Sequence, residues 1–418
     1  MSLKALATGA ALAAAGPAAA QTTLTLWYHG AGNPVESEIV GRIVSDFNES
    51  QDEWEVVLES FPQIAYNDSV VAAALAGDLP DILDVDGPVM PNWAWSGYLQ
   101  PLPIDPAVVE GFLPGALGYW QDELYSVGLW DAAVAMATRR STLEDNGIRV
   151  PSLEEPWTLE EFDAALETLQ ATGEFEHALD LGLADQGEWY PYAYAPWLVS
   201  FGGAIVDPES YATAEGFLNG DEAVAFGEWW RSLFERGLAP GPSQDMADRE
   251  QGFLDGRYAM TWNGNWNAVP MLEAFDDMIF LPAPDFGEGP RIGAASWQFA
   301  VSAASEHPEG GAAFIEHALQ PEYLAAFSDG IGLIPPTEEA AAMSELYAEG
   351  APLEVFYELS EAQAVLRPVT PGYVVAARVF QGALTDIANG ADVVSTLDAA
   401  VDAIDADIER NQGYGHEG

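Results

Sequence analysis

Apolar and polar positions follow two rhythms that take turns along this chain, one of period two and one near 3.6. Thr22–Tyr28 (TTLTLWY) is β-branched and apolar and predicts a strand. Pro34 then opens a helical spacing carried by Ile39, Ile43, Val44 and Phe47. Trp54–Phe61 predicts a second strand, and Ala65–Ala76 a second helix closed by Gly77. Asp81–Val85 (DILDV) predicts a third strand, ended by Asp86-Gly87-Pro88. Strands alternating with helices imply a parallel sheet of right-handed βαβ units, whose ligands sit outside the carboxyl ends of the strands. Those ends are Trp27–Gly32, Phe61–Tyr66 and Asp84–Pro88.

The middle of the chain is more helical. Leu159–Gln170, Asp221–Gly237 and Arg249–Leu254 carry amphipathic spacing, with strands expected at Tyr258–Trp262 and Met278–Leu281. A strand at Phe299–Ser302 precedes helices at Glu309–Leu319 and Pro321–Ser328, and Pro371–Arg410 reads as two helices broken at Asn389-Gly390. No internal repeat or low-complexity linker interrupts this, which favours compact lobes interleaved in sequence.

Length turns this pattern into two bodies, because 418 residues exceed what one hydrophobic core usually supports. With 49% hydrophobic and 11% aromatic residues there is ample material to bury. The net charge of −54 disfavours nucleic acid and anionic membrane surfaces as partners. Cysteine is absent, so disulfides, thiolate metal sites and cysteine nucleophiles are excluded. Lys4 is the only lysine, and the other basic residues are arginines between Arg42 and Arg410. Such acidity with almost no lysine points to a marine or halophilic habitat.

Residues 1–20 (MSLKALATGAALAAAGPAAA) read as a secretory signal: one early positive charge, a small apolar run, and Ala18-Ala19-Ala20 before Gln21 as the cleavage site. No later run approaches the ~20 apolar residues of a membrane span. With no cysteine for lipid attachment, the expected location is the periplasm.

Several segments together carry a family likeness: LTLWYHG, AAALAGDLPDILDVDGP, YAMTWNGNWNAVPM, WQFAVSAASEHPEGGAAFIEHAL, GLIPP and LRPVTPGYVVAARVFQGAL. In order and spacing, from Leu24 to about Ile408, they resemble the extracellular solute-binding proteins of bacterial ABC importers, in the sugar-binding branch that includes maltose-binding protein. The resemblance implies an α/β, two-lobed periplasmic-binding-protein fold of type II, each lobe a mainly parallel sheet flanked by helices, with the ligand cleft at the hinge. It further implies a first lobe of residues 21–131 plus 297–336 and a second of 132–296 plus 337–418. The chain would cross near Trp130–Ala132, Ala295–Gln298 and Pro335–Thr337. No chemistry is implied and no cofactor or metal; the expected partners are a small sugar and the permease subunits of an importer, with the protein itself a monomer.

The candidate ligand contacts follow from strand ends and from this likeness. Trp266 closes the motif Trp262-Asn263-Gly264-Asn265-Trp266, where an indole beside amides suits a sugar's apolar face and hydroxyl rim; in the maltose-binding relatives the tryptophan ending this motif stacks on ligand. Trp262 is balanced between ligand and core. Asp84 and Asp86 end the third strand as hydroxyl acceptors, with helix capping the alternative for Asp86. Tyr28, His29 and Asn33 follow the first strand, and Tyr66 follows the second. The resemblance adds Trp130 and Asp131 at the first crossing, Trp189, Tyr190 and Tyr192 before a helix of the second lobe, and Trp297 and Gln298 at the return crossing. Arg367 and Tyr373 flank the RPVTPGY turn, with a salt bridge the alternative for Arg367. Trp229, Trp230 and Trp54 read as core. No histidine spacing forms a zinc motif.

Two other functions stay open on sequence. A binding protein for a cationic solute such as a betaine or polyamine would also use aromatics and negative charge. A glycosidase needs two carboxylates, which 67 acidic residues supply without discrimination.

Overall fold

The computed structural model describes residues 21–185, 187–243 and 251–415. The signal reading (residues 1–20) and the start of the Arg249–Leu254 helix lie outside the described residues; 251–254 is helical. The strands, in chain order, are β1 Thr22–Tyr28, β2 Trp54–Ser60, β3 Ile82–Asp86, β4 Leu99–Gln100, β5 Leu117–Trp120, β6 Glu123–Gly128 and β7 Ala132–Arg139. β8 His177–Asp180, β9 Tyr258–Gly264, β10 Met278–Leu281, β11 Ile292–Ala295, β12 Trp297–Ser302 and β13 Ala364–Val365 follow.

These strands make two sheets. The first runs β2-β1-β3-β12-β6-β5 with β4 beside β12; the second runs β13-β11-β7-β9-β8 with β10 beside β7. Each carries its own apolar core, the first around Leu24, Val40, Ile43 and Phe314, the second around Trp157, Trp197, Trp230 and Trp262. The fold is therefore the two-lobed α/β arrangement. Its sheets, however, are mixed where mainly parallel ones were expected. β1 pairs in parallel with β2 and β3, and β8 with β9, but β12 and β7 run antiparallel to each of their described neighbours. The cause is the hinge. β1 and β3 climb to the cleft and end there, whereas β12 and β7 begin at the crossing and run away from it, so they can only pair head-to-tail.

Between the lobes the chain passes from β6 to β7 through Leu129–Asp131, and returns from β11 to β12 through the single residue Ser296. A third strand of the hinge joins them. Asp131 and Ile334 exchange backbone bonds of 2.8 and 2.9 Å, and the Leu113 amide donates to Pro336 O at 2.8 Å.

Local signals explain the helices that frame the cleft. In Pro34–Ser50, Asn33 caps the start by accepting from the Glu36 amide at 3.2 Å, and Ile39, Val40, Ile43, Val44 and Phe47 form the buried stripe. Gln63–Ala76 stops at Gly77, whose φ of +73° is the left-handed turn that glycine adopts without strain. Trp189, Tyr190 and Tyr192 stand inside a helix, Trp189–Phe201, rather than before one.

Candidate functional site

The carboxyl ends of β1 and β3, the start of β12 and the facing surface of the second lobe enclose a cavity of about 1060 Å³. From the first lobe come His29, Asn33, Glu36, Asp86 and Trp130; from the second, Glu188, Trp189, Tyr192, Trp266 and Arg367; Trp297 stands at the crossing between them. Aromatic rings from both lobes thus face one space.

The aromatic wall of the second lobe is built by two elements. β9 delivers Trp266 through the turn that ends it, and the helix Trp189–Phe201 delivers Trp189 and Tyr192. Trp266 meets Trp189 edge-on with centroids 6.3 Å apart, and lies 6.0 Å from Tyr192 at a tilt of 32°. Gly264 makes this possible: a Cβ there would lie 2.2 Å from Trp266 Cη2. Beyond Tyr192 lies Arg367, whose guanidinium sits 5.0 Å from the phenol ring, a cation–π contact. Arg367 Nη1 donates to Glu188 Oε2 at 2.7 Å, and Tyr373 donates to the same oxygen at 2.5 Å. Asp86 is 4.0 Å from Arg367 Nη2. Burial lifts the Asp86 carboxyl to about 7, against the pull of Arg367. Two polar atoms at this end have no partner among the described residues, Arg367 Nε and Tyr192 Oη. Each buried donor of this kind is a stored demand for an acceptor.

The first lobe places a different set around His29. Its Nδ1 bonds Asp84 Oδ2, its Nε2 is 3.5 Å from Glu36 Oε1, and Tyr28 donates to that same Glu36 oxygen. Trp297 stacks on the imidazole at 3.9 Å and 12°. Burial draws the imidazole toward neutrality, but Asp84 and Glu36 outweigh it and its pKa is raised. Burial also raises Glu36 and Asp84, against the pull of His29.

The remaining sequence candidates do not line this cavity. The Tyr66 hydroxyl donates to Trp27 O at 3.1 Å and accepts from the Asp84 amide at 3.0 Å, so it and Asp84 tie β1 to β3 from below. Asp131 is fully buried at the hinge, accepting from Ser360 Oγ at 2.8 Å and from the Ala132 amide at 2.9 Å, with its carboxyl pushed up to about 6 by burial. Asn265 bonds the Ala133 amide at 3.1 Å and Gly332 O at 2.8 Å, a hinge knot rather than a ligand contact. Asn263 is turned inward, accepting from the Gly264 amide and Asn267. Trp262 is core, its indole donating to Ala193 O at 3.2 Å. Tyr190 points to Leu183 O, and Gln298 is held by Ser126 and Gly115 O. Tyr28 and Tyr373 are buried behind Glu36 and Glu188. Neighbouring residues face opposite ways along a strand and are turned by about 100° along a helix, so the right segment can supply one cavity residue and one core residue.

Glu36 and Glu188 line the cavity without having been singled out from the sequence. Glu36 carried one signal, its place three residues after the cap Asn33 at the head of the helix, but its carboxyl turns to Tyr28 and not back to the Asn33 amide. Glu188 carried none, since its partners Arg367 and Tyr373 are far along the chain.

A cavity of this make-up between two hinged α/β lobes is the architecture of a solute-binding protein. The chain belongs to the bacterial extracellular solute-binding protein family, which it matches over residues 42–353. No curated protein sequence matches it. Among solved structures it is similar to the sugar-binding protein MalE of Xanthomonas citri, with a TM-score of 0.78, 19% identity, and coverage of 95% of this chain and 100% of that one. The cyclic α-maltosyl-1,6-maltose binding protein of Arthrobacter globiformis gives 0.77 at 21% identity over 93% and 100%. The GacH receptor of Streptomyces glaucescens, solved unliganded and with acarbose, gives 0.74 at 20% over 93% and 98%. Among the described residues no helix is long and apolar enough to cross a membrane.

Proposed function

We propose that this protein is the carbohydrate-binding component of an ABC importer, exported to the periplasm, where it closes on a short oligosaccharide or glycoside and presents it to a membrane permease. The observation that carries the reading is the pairing of Trp130, Trp189, Tyr192, Trp266 and Trp297 with the edge carboxylates Asp86, Glu36 and Glu188 around one cavity. Flat rings match the apolar faces of pyranoses, and carboxylates accept from their hydroxyls. The fold shared with sugar-binding proteins supports it. Among the described residues the one guanidinium that lines the cavity, that of Arg367, is paired with Glu188, which favours a neutral over an anionic solute.

Calorimetry with maltose, maltotetraose, cellobiose and xylotetraose, against glycine betaine and spermidine, tests this. Binding of a glycan with an intact product after incubation is the expected outcome. Binding only of betaine or spermidine would replace carbohydrate by a cationic solute, and cleavage of the glycan would make the protein an enzyme.

A further inference from the structure

We propose that the saccharide taken by this cavity carries a protonated amine, so that the substrate class is amino sugars and the oligosaccharides that contain them. The proposal rests on the carbohydrate reading above and adds the charge of the ligand, which that reading leaves open.

The observation behind it is a shortage of positive charge inside the cavity. In each of its two polar clusters, a pair of carboxylates shares a single cation. On the first lobe, Asp84 bonds His29 Nδ1 and Glu36 stands 3.5 Å from His29 Nε2. Between the lobes, Glu188 accepts from Arg367 Nη1 at 2.7 Å and Asp86 lies 4.0 Å from Nη2 of the same guanidinium. His29, Glu36, Asp86, Glu188 and Arg367 line one cavity, and among the described lining residues there is no further arginine and no lysine. Even with the imidazole protonated, four carboxylates meet two cations.

The acidity of the chain as a whole does not account for this. An acid on the outer surface is solvated by water, but the side chains of Glu36, Asp84 and Asp86 are only 8%, 2% and 13% exposed. Enclosing a carboxylate without a full countercharge is costly. Burial raises all three carboxyls against the pull of His29 and Arg367, Asp86 to about 7, so the two cations do not compensate them. An ammonium brought in by the ligand supplies the missing charge.

The remaining lining suits a sugar ring that bears such a group. The faces of Trp130, Trp189, Trp266 and Trp297 attract an ammonium as well as the apolar face of a pyranose. Tyr192 already holds one cation in this way, the Arg367 guanidinium 5.0 Å from its ring. Its hydroxyl is a second, independent sign of a ligand: Tyr192 lines the cavity, is 7% exposed, and its Oη has no partner among the described residues. A sugar hydroxyl meets that demand.

Two matched pairs isolate the amine: the β-1,4-linked glucosamine disaccharide against cellobiose, and 2-amino-2-deoxymaltose against maltose, titrated by calorimetry at pH 7 and low salt. In at least one pair the amine-bearing member should bind about tenfold more tightly or better. Asp86→Asn and Glu188→Gln each remove one of the carboxylates that share Arg367, and the advantage should shrink to below about threefold in both. Glu188 is the more exposed of the two, so its variant decides the matter should Asp86→Asn fail to fold. N,N′-diacetylchitobiose keeps a substituent at the same position without the charge and should bind no better than cellobiose. If neutral or acetylated saccharides bind as tightly as the amines, the inference falls and the carbohydrate reading stands. A preference for the amine that survives in both variants also overturns it, because the ammonium is then not held by these carboxylates. If no saccharide binds wild type, the carbohydrate reading itself falls and takes the inference with it.

Discussion

Trp266 has a ring that lines the cavity on one side and packs on Gly264, Trp189 and Tyr192 on the other. Trp266→Ala should therefore cost about 2–4 kcal/mol of glycan binding, roughly 30- to 1000-fold in Kd, with little change in ligand-free stability. Titration and denaturant melting on the same variant check this, and a collapse in stability with normal binding would make Trp266 core. Gly264→Ala reaches the same ring from behind, since the new Cβ occupies its present position; affinity should fall at least tenfold. Asp86 adds a pH effect. Its carboxyl titrates near 7 in the folded protein and near 4 when unfolded, so the folded form holds more protons between those values. Stability from this group is complete below about pH 4 and is lost as pH rises toward 7, with a limiting slope of about 1.4 kcal/mol per pH unit. Melting curves of Asp86→Asn across pH 4–7.5 should show a shallower decline than wild type. An unchanged slope would place the shift elsewhere.

At the scale of elements, the hinge is tied by Asn265, a side chain that the sequence alone offered as a ligand contact. Asn265 sits where β9 ends, and its amide joins the first residues of β7 to the third hinge strand at Gly332. Asn265→Ala leaves the Ala133 amide buried without an acceptor, a loss of about 1–3 kcal/mol. Thermal or denaturant melting should show that loss in the ligand-free protein, the reverse of what Trp266→Ala predicts. The helix Trp189–Phe201 shows why such roles were hard to read in advance. Its sequence, WYPYAYAPWLVSF, contains two prolines and has no amphipathic stripe, because eleven of its thirteen residues are buried. A helix surrounded by protein has no polar face to set a period, and so its span and the inward turn of Tyr192 were invisible. The amphipathic helices Pro34–Ser50 and Leu159–Thr172, each with a side-chain cap, were legible to within a few residues.

On the scale of the whole molecule, two lobes with contacts to one ligand should exchange open and closed forms, ligand favouring closed. Small-angle scattering should show a smaller radius of gyration at saturation, and an identical profile would count against hinge closure. The net charge of −54 acts on the same scale. Mutual repulsion opposes the compact state and salt shortens its range, so the melting temperature should rise from low salt to seawater-like sodium chloride. A flat response would mean that the acids are locally compensated and that the saline-habitat inference fails.

By itself the sequence determined the class of architecture, the strand ends around which the cavity forms, and the family. These depend on local periodicity, caps and turn residues, which neighbours along the chain fix together. Only the tertiary structure decided which side chain of each segment faces the cavity. Trp266 rather than Trp262, Asp86 rather than Asp84 and Trp130 rather than Asp131 line the cavity, while their neighbours close the core or the hinge. It also decided the mixed pairing of the sheets and the partnerships Glu36–His29–Asp84 and Glu188–Arg367. Such contacts join residues distant in sequence, and their geometry comes into being only when the hinge brings two lobes face to face.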